Sequence, residues 1–124
     1  MKIFKYSKRS LKNLENIDKR LKILFCEAIK KSPYDFIVTE GLRTKERQEK
    51  LFKNGKTKTL NSKHLHGKAV DIAIIKDKKI VWDYSFYKKV AEHIKTIAQK
   101  LNLEINWGGD WKDFIDGVHF ELKE

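Results

Sequence analysis

The sequence predicts an α+β fold, a small antiparallel β-sheet packed with helices, and three observations carry that prediction. Two long stretches repeat apolar residues at steps of three and four, as a helix with one buried face requires. Short β-branched or aromatic runs lie between and after them, bounded by turn residues, and read as strands. No βαβ unit recurs, so hairpin-like antiparallel pairing is expected instead of a parallel sheet. The 124 residues suit a single domain, 1–124, because that length does not accommodate a second hydrophobic core.

The elements follow in chain order. Leu11, Leu14, Ile17, Leu21, Leu24, Phe25, Ala28 and Ile29 trace one face of a helical first third, with Lys and Glu on the other. Ser7 or Ser10 can cap its start, Ser32-Pro33 ends it, and a break near Asn13–Asn16 is compatible with the pattern. Cys26 is expected near the apolar face as a small hydrophobe. Phe36-Ile37-Val38-Thr39 reads as a strand. Thr44 is the N-cap of a helix over 45–54, with Leu51 and Phe52 inward and Gly55 as its C′ stop. Residues 56–63 read as polar loop. Ala69–Ile75 is the strongest strand, Lys76–Lys79 a turn, and Ile80-Val81-Trp82 its hairpin partner. Ser85 is expected to cap a second long helix, with Val90, Ala91, Ile94, Ile97, Ala98 and Leu101 on one face. Leu103–Trp107 and Val118–Leu122 complete the strands, with Gly108-Gly109 in the loop between them.

Composition removes several classes. With 40% hydrophobic and 11% aromatic residues, the chain has the apolar surface that a disordered sequence lacks. One Pro and six Gly exclude collagenous and linker-like readings. Cys26 stands alone, so neither an internal disulfide nor a Cys-cluster metal site can form. No apolar run approaches the roughly 18–20 residues of a membrane span. The start, Met1-Lys2-Ile3-Phe4-Lys5-Tyr6-Ser7-Lys8-Arg9, is basic but lacks the apolar stretch of a signal peptide. A protein made and held in the cytoplasm, without membrane insertion, is therefore expected.

The net charge of +11 is uneven: residues 1–68 carry 19 Lys+Arg against 7 Asp+Glu, and residues 69–124 carry 9 against 10. A one-sided basic surface attracts polyanions. Specific nucleic-acid recognition is not expected, because 24 of the 28 basic residues are Lys and base-edge readout leans on bidentate Arg. Zinc-finger, RRM and helix-turn-helix patterns are absent as well.

The chemistry-bearing residues gather in two places. Asp71 lies inside the apolar run Ala69–Ile75, where a carboxylate is costly to bury unless it is paired or bound to a cation. The alternative is an edge-strand Asp facing solvent by alternation. His64 and His66 lie in the segment leading into that strand, and His119 opens the last one. Two imidazoles and a carboxylate are a common three-ligand set for catalytic zinc, which lowers the pKa of a coordinated water to about 7. Asp116, three residues before His119, can fold back as a general base if a turn separates them. His66 rivals His64, because His-x-His on an extended segment projects both rings to one face. Spacing alone does not choose between them. His93, among Lys and Glu on the second long helix, reads as a surface residue.

Ser62-x-His64-x-x-Gly67-x-Ala69-x-Asp71 resembles the Ser-x-His-x-x-Gly-x-Ala-x-Asp motif of the zinc D-Ala-D-Ala carboxypeptidase (VanY-type) metallopeptidase family. Asp116-x-x-His119-Phe120-Glu121-Leu122 resembles its second motif, an acid three residues before the last zinc ligand. Thr39-Glu40-Gly41-Leu42-Arg43-Thr44-x-x-x-Gln48 is similar to the family's Gly-x-Arg segment, and Trp107-Gly108-Gly109-Asp110-Trp111 to the Trp-Gly-Gly loop of its phage members. One departure is Val118, where the family usually has Pro before the last His.

The resemblance implies a fold of the hedgehog/D-Ala-D-Ala peptidase type, zinc on His64, Asp71 and His119, and Asp116 as general base and later acid. It selects His64 over His66. It gives Arg43 the substrate and the oxyanion to hold, with Ser62 and Gln48 in supporting roles, and places Trp107 and Trp111 either along the cleft or in the core. The Asp at 116 and the Trp-Gly-Gly loop favour the phage L-alanyl-D-glutamate endolysins, monomers acting on peptidoglycan stem peptides with anionic wall polymers as a second partner. Such an enzyme is expected in the host cytoplasm until a membrane-permeabilising partner such as a holin admits it to the wall. The rival expectations are a D-alanyl-D-alanine carboxypeptidase or dipeptidase, and a non-catalytic zinc-stabilised binding module. The second rival has no use for Asp116 and Arg43.

Overall fold

The computed structural model describes residues 3–124; the first two residues of the basic start lie outside the described residues. The helical first third is two helices, α1 (Lys8–Asn13) and α2 (Lys19–Ala28), followed by a 3-10 turn at Ile29–Lys31. Ser7 caps α1 by accepting from the Ser10 N–H, and Asp18 caps α2 by accepting from the Arg20 N–H. The break falls at Leu14–Asp18 and changes one expectation: Leu11 is half exposed, because α1 leaves the line of α2.

Five strands make one antiparallel sheet. They are β1 (Asp35–Glu40), β2 (Ala69–Lys76), β3 (Lys79–Val81), β4 (Ile105–Trp107) and β5 (His119–Leu122). The order is β1-β2-β5-β4, and β3 pairs with β2 beyond the end of β5. Asp77 and Lys78 both take positive φ in the β2–β3 turn, the twist a two-residue hairpin requires. β4 and β5 are shorter than the sequence suggests: the Leu103 N–H donates to the Ala98 carbonyl near the end of the preceding helix, and Val118 lies just before β5 with its carbonyl accepting from the Ile72 N–H of β2.

Helix α3 (Lys45–Lys53) begins at its Thr44 cap and ends at Asn54, with Gly55 at positive φ just beyond. Its inner face differs from expectation: Phe52 is 43% exposed and Leu51 half-buried, whereas Gln48 is fully buried. This helix borders a cleft and not the core, so its inward residue is polar. Helix α4 (Tyr84–Lys100) starts one residue before Ser85, with Asp83 at the N-cap position, and Leu101 falls past its end, partly exposed.

The core lies between one sheet face and helices α2 and α4. Phe36, Val38, Val70, Ile72, Ile74, Phe120 and Leu122 alternate inward from the strands to meet Leu21, Leu24, Phe25, Val90 and Ile94. Phe25 touches Phe36 and Phe120 edge-on at 6.5 and 5.8 Å between centroids. His93 is half-buried, not free on the surface: its Nε2 lies 2.8 Å from the Ala28 carbonyl at the end of α2. No helix among the described residues is long and apolar enough to cross a membrane.

Candidate metal centre and cleft

Strand alternation that turns Val70, Ile72 and Phe120 to the core turns Asp71, His119 and Glu121 to the opposite face. Asp71 is not on an edge: β2 is flanked by β1 and β5, and Asp71 pairs with Glu40 on one side and His119 on the other. The β1 register shifts between Val38 and Glu40. Without that bulge Glu40 would continue the core-facing set of Phe36 and Val38; with it, Glu40 joins Asp71. Two carboxylates directly opposite repel. Arg43 resolves this, its Nη2 lying 2.7 Å from Glu40 Oε1 and 3.4 Å from Asp71 Oδ2.

His64 arrives from a 3-10 turn, Lys63–His66, capped by Ser62, whose hydroxyl accepts from the His64 N–H at 3.2 Å. That turn separates the two imidazoles. On an extended segment both rings would share a face; here His64 is 1% exposed in the site and His66 is exposed outside it. The His64 ring is clamped, with Nδ1 2.8 Å from the Gly41 carbonyl and Nε2 3.0 Å from Asp71 Oδ1. Gly41 can be nothing larger, since a Cβ there would lie 2.1 Å from the Asn13 carbonyl. His119 reaches the same Asp71 oxygen through Nδ1 at 3.1 Å, while its Nε2 lies 2.8 Å from Glu121 Oε1.

One ligand-capable atom from each of His64, Asp71 and His119 lies within 4.8 Å of the others. Two imidazole nitrogens and one carboxylate oxygen on residues that line an open cleft fit a catalytic-type metal site. The field agrees. Burial works against the charge of Asp71, but hydrogen bonds from His119 and His64 outweigh it and hold the carboxyl well below the usual carboxylate range. Burial also works against a charged His119, yet Asp71 and Glu121 raise its pKa to about 9. Surroundings that favour a proton there also favour a cation.

The cleft, about 400 Å³, is lined by Arg43, Ser62, Asp71, Trp111, Asp116 and His119 among others. The turn that Asp116 needs in order to fold back before His119 is present: the Asp116 carbonyl accepts from the His119 N–H at 3.1 Å. Burial raises the Asp116 pKa first, and the nearby Asp71 charge adds to it against the pull of His119, His64 and Arg43. Arg43 is buried, and its Nη1 donates to Gln48 Oε1 at 2.9 Å, while Gln48 in turn donates to the Thr59 carbonyl. Gln48 thus stands behind Arg43. Arg43 Nε is the buried side-chain polar atom without a hydrogen-bond partner among the described residues. The two tryptophans divide: Trp107 is buried in the core and donates to the Gly117 carbonyl, and Trp111 sits in the cleft 5.1 Å from the His119 ring.

Sequence reasoning missed Glu40, Arg47, Lys63 and Glu121, all of which line the cleft. Glu121 was within reach, since two residues along a strand from His119 means the same face. Glu40 was not, because only the bulge brings it there.

A carboxylate held between two imidazoles at the floor of such a cleft, with an acid and a guanidinium beside it, defines a metallopeptidase-type hydrolase site on an α+β scaffold. The comparisons then give the family: the phage L-alanyl-D-glutamate peptidase family matches residues 2–123, and the chain belongs to it. The chain is 31% identical to the L-alanyl-D-glutamate peptidase of Escherichia phage T5, over 97% of this chain and 90% of that one. It is 34% identical to the peptidoglycan L-alanyl-D-glutamate endopeptidase CwlK of Bacillus subtilis, over 71% of this chain. The chain spans 60% of the CwlK length and 42% of a Listeria phage A118 L-alanyl-D-glutamate peptidase to which it is 29% identical. The crystal structure of the Serratia marcescens L-Ala D-Glu endopeptidase ChiX superposes with a TM-score of 0.89 at 32% identity, covering 96% of this chain and 90% of that one.

Proposed function

We propose that this chain is a zinc peptidase of the endolysin type that hydrolyses the L-Ala–D-Glu bond of peptidoglycan stem peptides. The observation that carries the reading is the convergence of His64, Asp71 and His119 in a cleft that also presents Asp116 and Arg43. The family and the names of its relatives support the scissile bond.

His64, Asp71 and His119 would hold the zinc ion, which would supply Lewis-acid polarisation and acidify water near neutral pH. The protein's own residues do the rest. Asp116 takes the proton of the attacking water and returns it to the leaving amine of D-Glu, and a pKa above the ordinary carboxylate value suits a group that must do both. Arg43 faces the carbonyl oxygen where negative charge develops, its plane fixed by Glu40 and Gln48 before substrate arrives. Trp111 walls the cleft beside His119. Ser62 supports the site by capping the turn that carries His64, and the basic first half of the chain draws the enzyme to anionic wall polymers.

The test is mass spectrometry of purified peptidoglycan digested with and without a chelator. New amino termini on D-Glu, lost on chelation and restored by zinc, are the expected products. Release of D-Ala would move the reaction to the carboxypeptidase type, and no metal-dependent product would leave a binding module.

A further inference from the structure

The two imidazoles of the metal centre are backed by different groups. His64 turns its outer nitrogen, Nδ1, to a neutral acceptor, the Gly41 carbonyl. His119 turns its outer nitrogen, Nε2, to a carboxylate, Glu121 Oε1 at 2.8 Å. The other oxygen of Glu121 is also engaged: Lys63 Nζ lies 3.2 Å from Oε2 and donates as well to the Leu122 carbonyl. Lys63 is the residue before His64, so the ammonium ties the turn carrying one imidazole to the strand carrying the other.

From this geometry we infer that Glu121, held by Lys63, is a positioning residue that sets the tautomer and aim of His119. An imidazole that holds a metal is neutral and has one proton, and only the form protonated at Nε2 leaves Nδ1, the nitrogen on the side of Asp71 and His64, free to be the ligand. Glu121 accepts that Nε2–H, which fixes the tautomer and makes Nδ1 a stronger donor to a metal. Both backing contacts are 2.8 Å long, and the one to a carboxylate is charge-assisted and so the stronger of the two. Strand geometry supplies the pairing at no cost in reach, because residues two apart on β5 share a face. Lys63 keeps Glu121 charge-paired in a cleft that already holds the carboxylates of Asp71, Asp116 and Glu40. Glu121 does not touch the reacting atoms in this scheme; it acts through His119.

This inference rests on reading His119 as a metal ligand, and the experiment separates the two. Zinc affinity is measured by competition with a chromophoric chelator for the wild type, H119A, E121A, E121Q and K63M, with thermal melting of each variant before zinc is added. E121A is expected to bind zinc about 10–100-fold more weakly. E121Q, whose amide oxygen still accepts from Nε2–H, is expected to recover part of the loss, and K63M to fall between E121Q and the wild type. If E121A binds zinc within about twofold of wild type while H119A loses it, the positioning role is wrong and the ligand assignment stands. If H119A keeps its zinc, both fall. Nitrogen-15 NMR of the zinc-loaded wild type provides a readout independent of whether E121A folds: an Nε2-protonated His119 supports the inference, and an Nδ1-protonated one overturns it.

Discussion

Asp116 and Glu40 line the same cleft and are expected to fail in different ways when changed. Asp116→Asn removes the proton carrier but none of the three candidate ligands. It should lower kcat by about 10²–10⁴-fold with zinc content unchanged, checked by kinetics on a stem-peptide substrate alongside metal analysis; an unaltered kcat would remove Asp116 from the mechanism. Glu40 makes a stability prediction instead. Burial opposes its charge, but the hydrogen bonds from Arg43 and Arg47 outweigh it and hold the carboxyl below its ordinary 4.5. A carboxyl with a depressed folded pKa contributes stability that is present above the unfolded value and lost as pH falls through the folded one. The stability gap between wild type and Glu40→Gln in urea titrations should therefore be widest above pH 4.5 and narrow at lower pH. A gap that stays constant from pH 7 to pH 3 would show that the ion pairs to Arg43 and Arg47 contribute nothing.

Elements place these residues through backbone contacts that side-chain patterns do not show. The 108–118 segment is an instance: Gly108 accepts from the Asp116 N–H at 2.9 Å, and a Cβ on Gly108 would lie 2.2 Å from the Asp116 carbonyl. Gly108→Ala must therefore move the loop that carries the acid. The change should cost about 1–3 kcal/mol of stability and lower kcat by up to about 100-fold through misplacement, read by denaturant unfolding and by kinetics on the folded fraction. A variant destabilised but fully active would mean that the loop's position is not what aims Asp116. The strands serve the same end. One bulge in β1 brings Glu40 opposite Asp71, and one register between β2 and β5 brings His119 opposite it, so three functional residues cross the sheet in a row.

At the scale of the whole molecule, charge and fold act separately. Residues 1–68 hold a net +12 and residues 69–124 a net −1, while the candidate ligands come from both halves. The proposed attraction of the basic half to anionic wall polymers would be long-range and screened, whereas binding within the cleft would be short-range. Sedimentation with purified walls should weaken as salt rises from about 0.05 to 0.5 M while cleavage of a short soluble stem peptide changes little; an equal loss in both assays would count against a separate electrostatic role for the basic half. The fold class and the α3 and β2 elements were legible in the chain through local periodicity, and the trio His64, Asp71 and His119 through motifs that resemble the family's. His64 was preferred to His66 by family resemblance, and the 3-10 turn supplies the physical reason. Gln48 was given a supporting role by the resemblance, but two partners were not legible: the Gly41 carbonyl behind His64 and Glu40 across from Asp71 are set by close backbone approach and by a bulge. Sequence alone determined which residues have the chemistry of a metal-dependent hydrolase. Only the tertiary structure decided how each is held, because contacts between residues tens of positions apart depend on how strands pair and not on how residues are spaced.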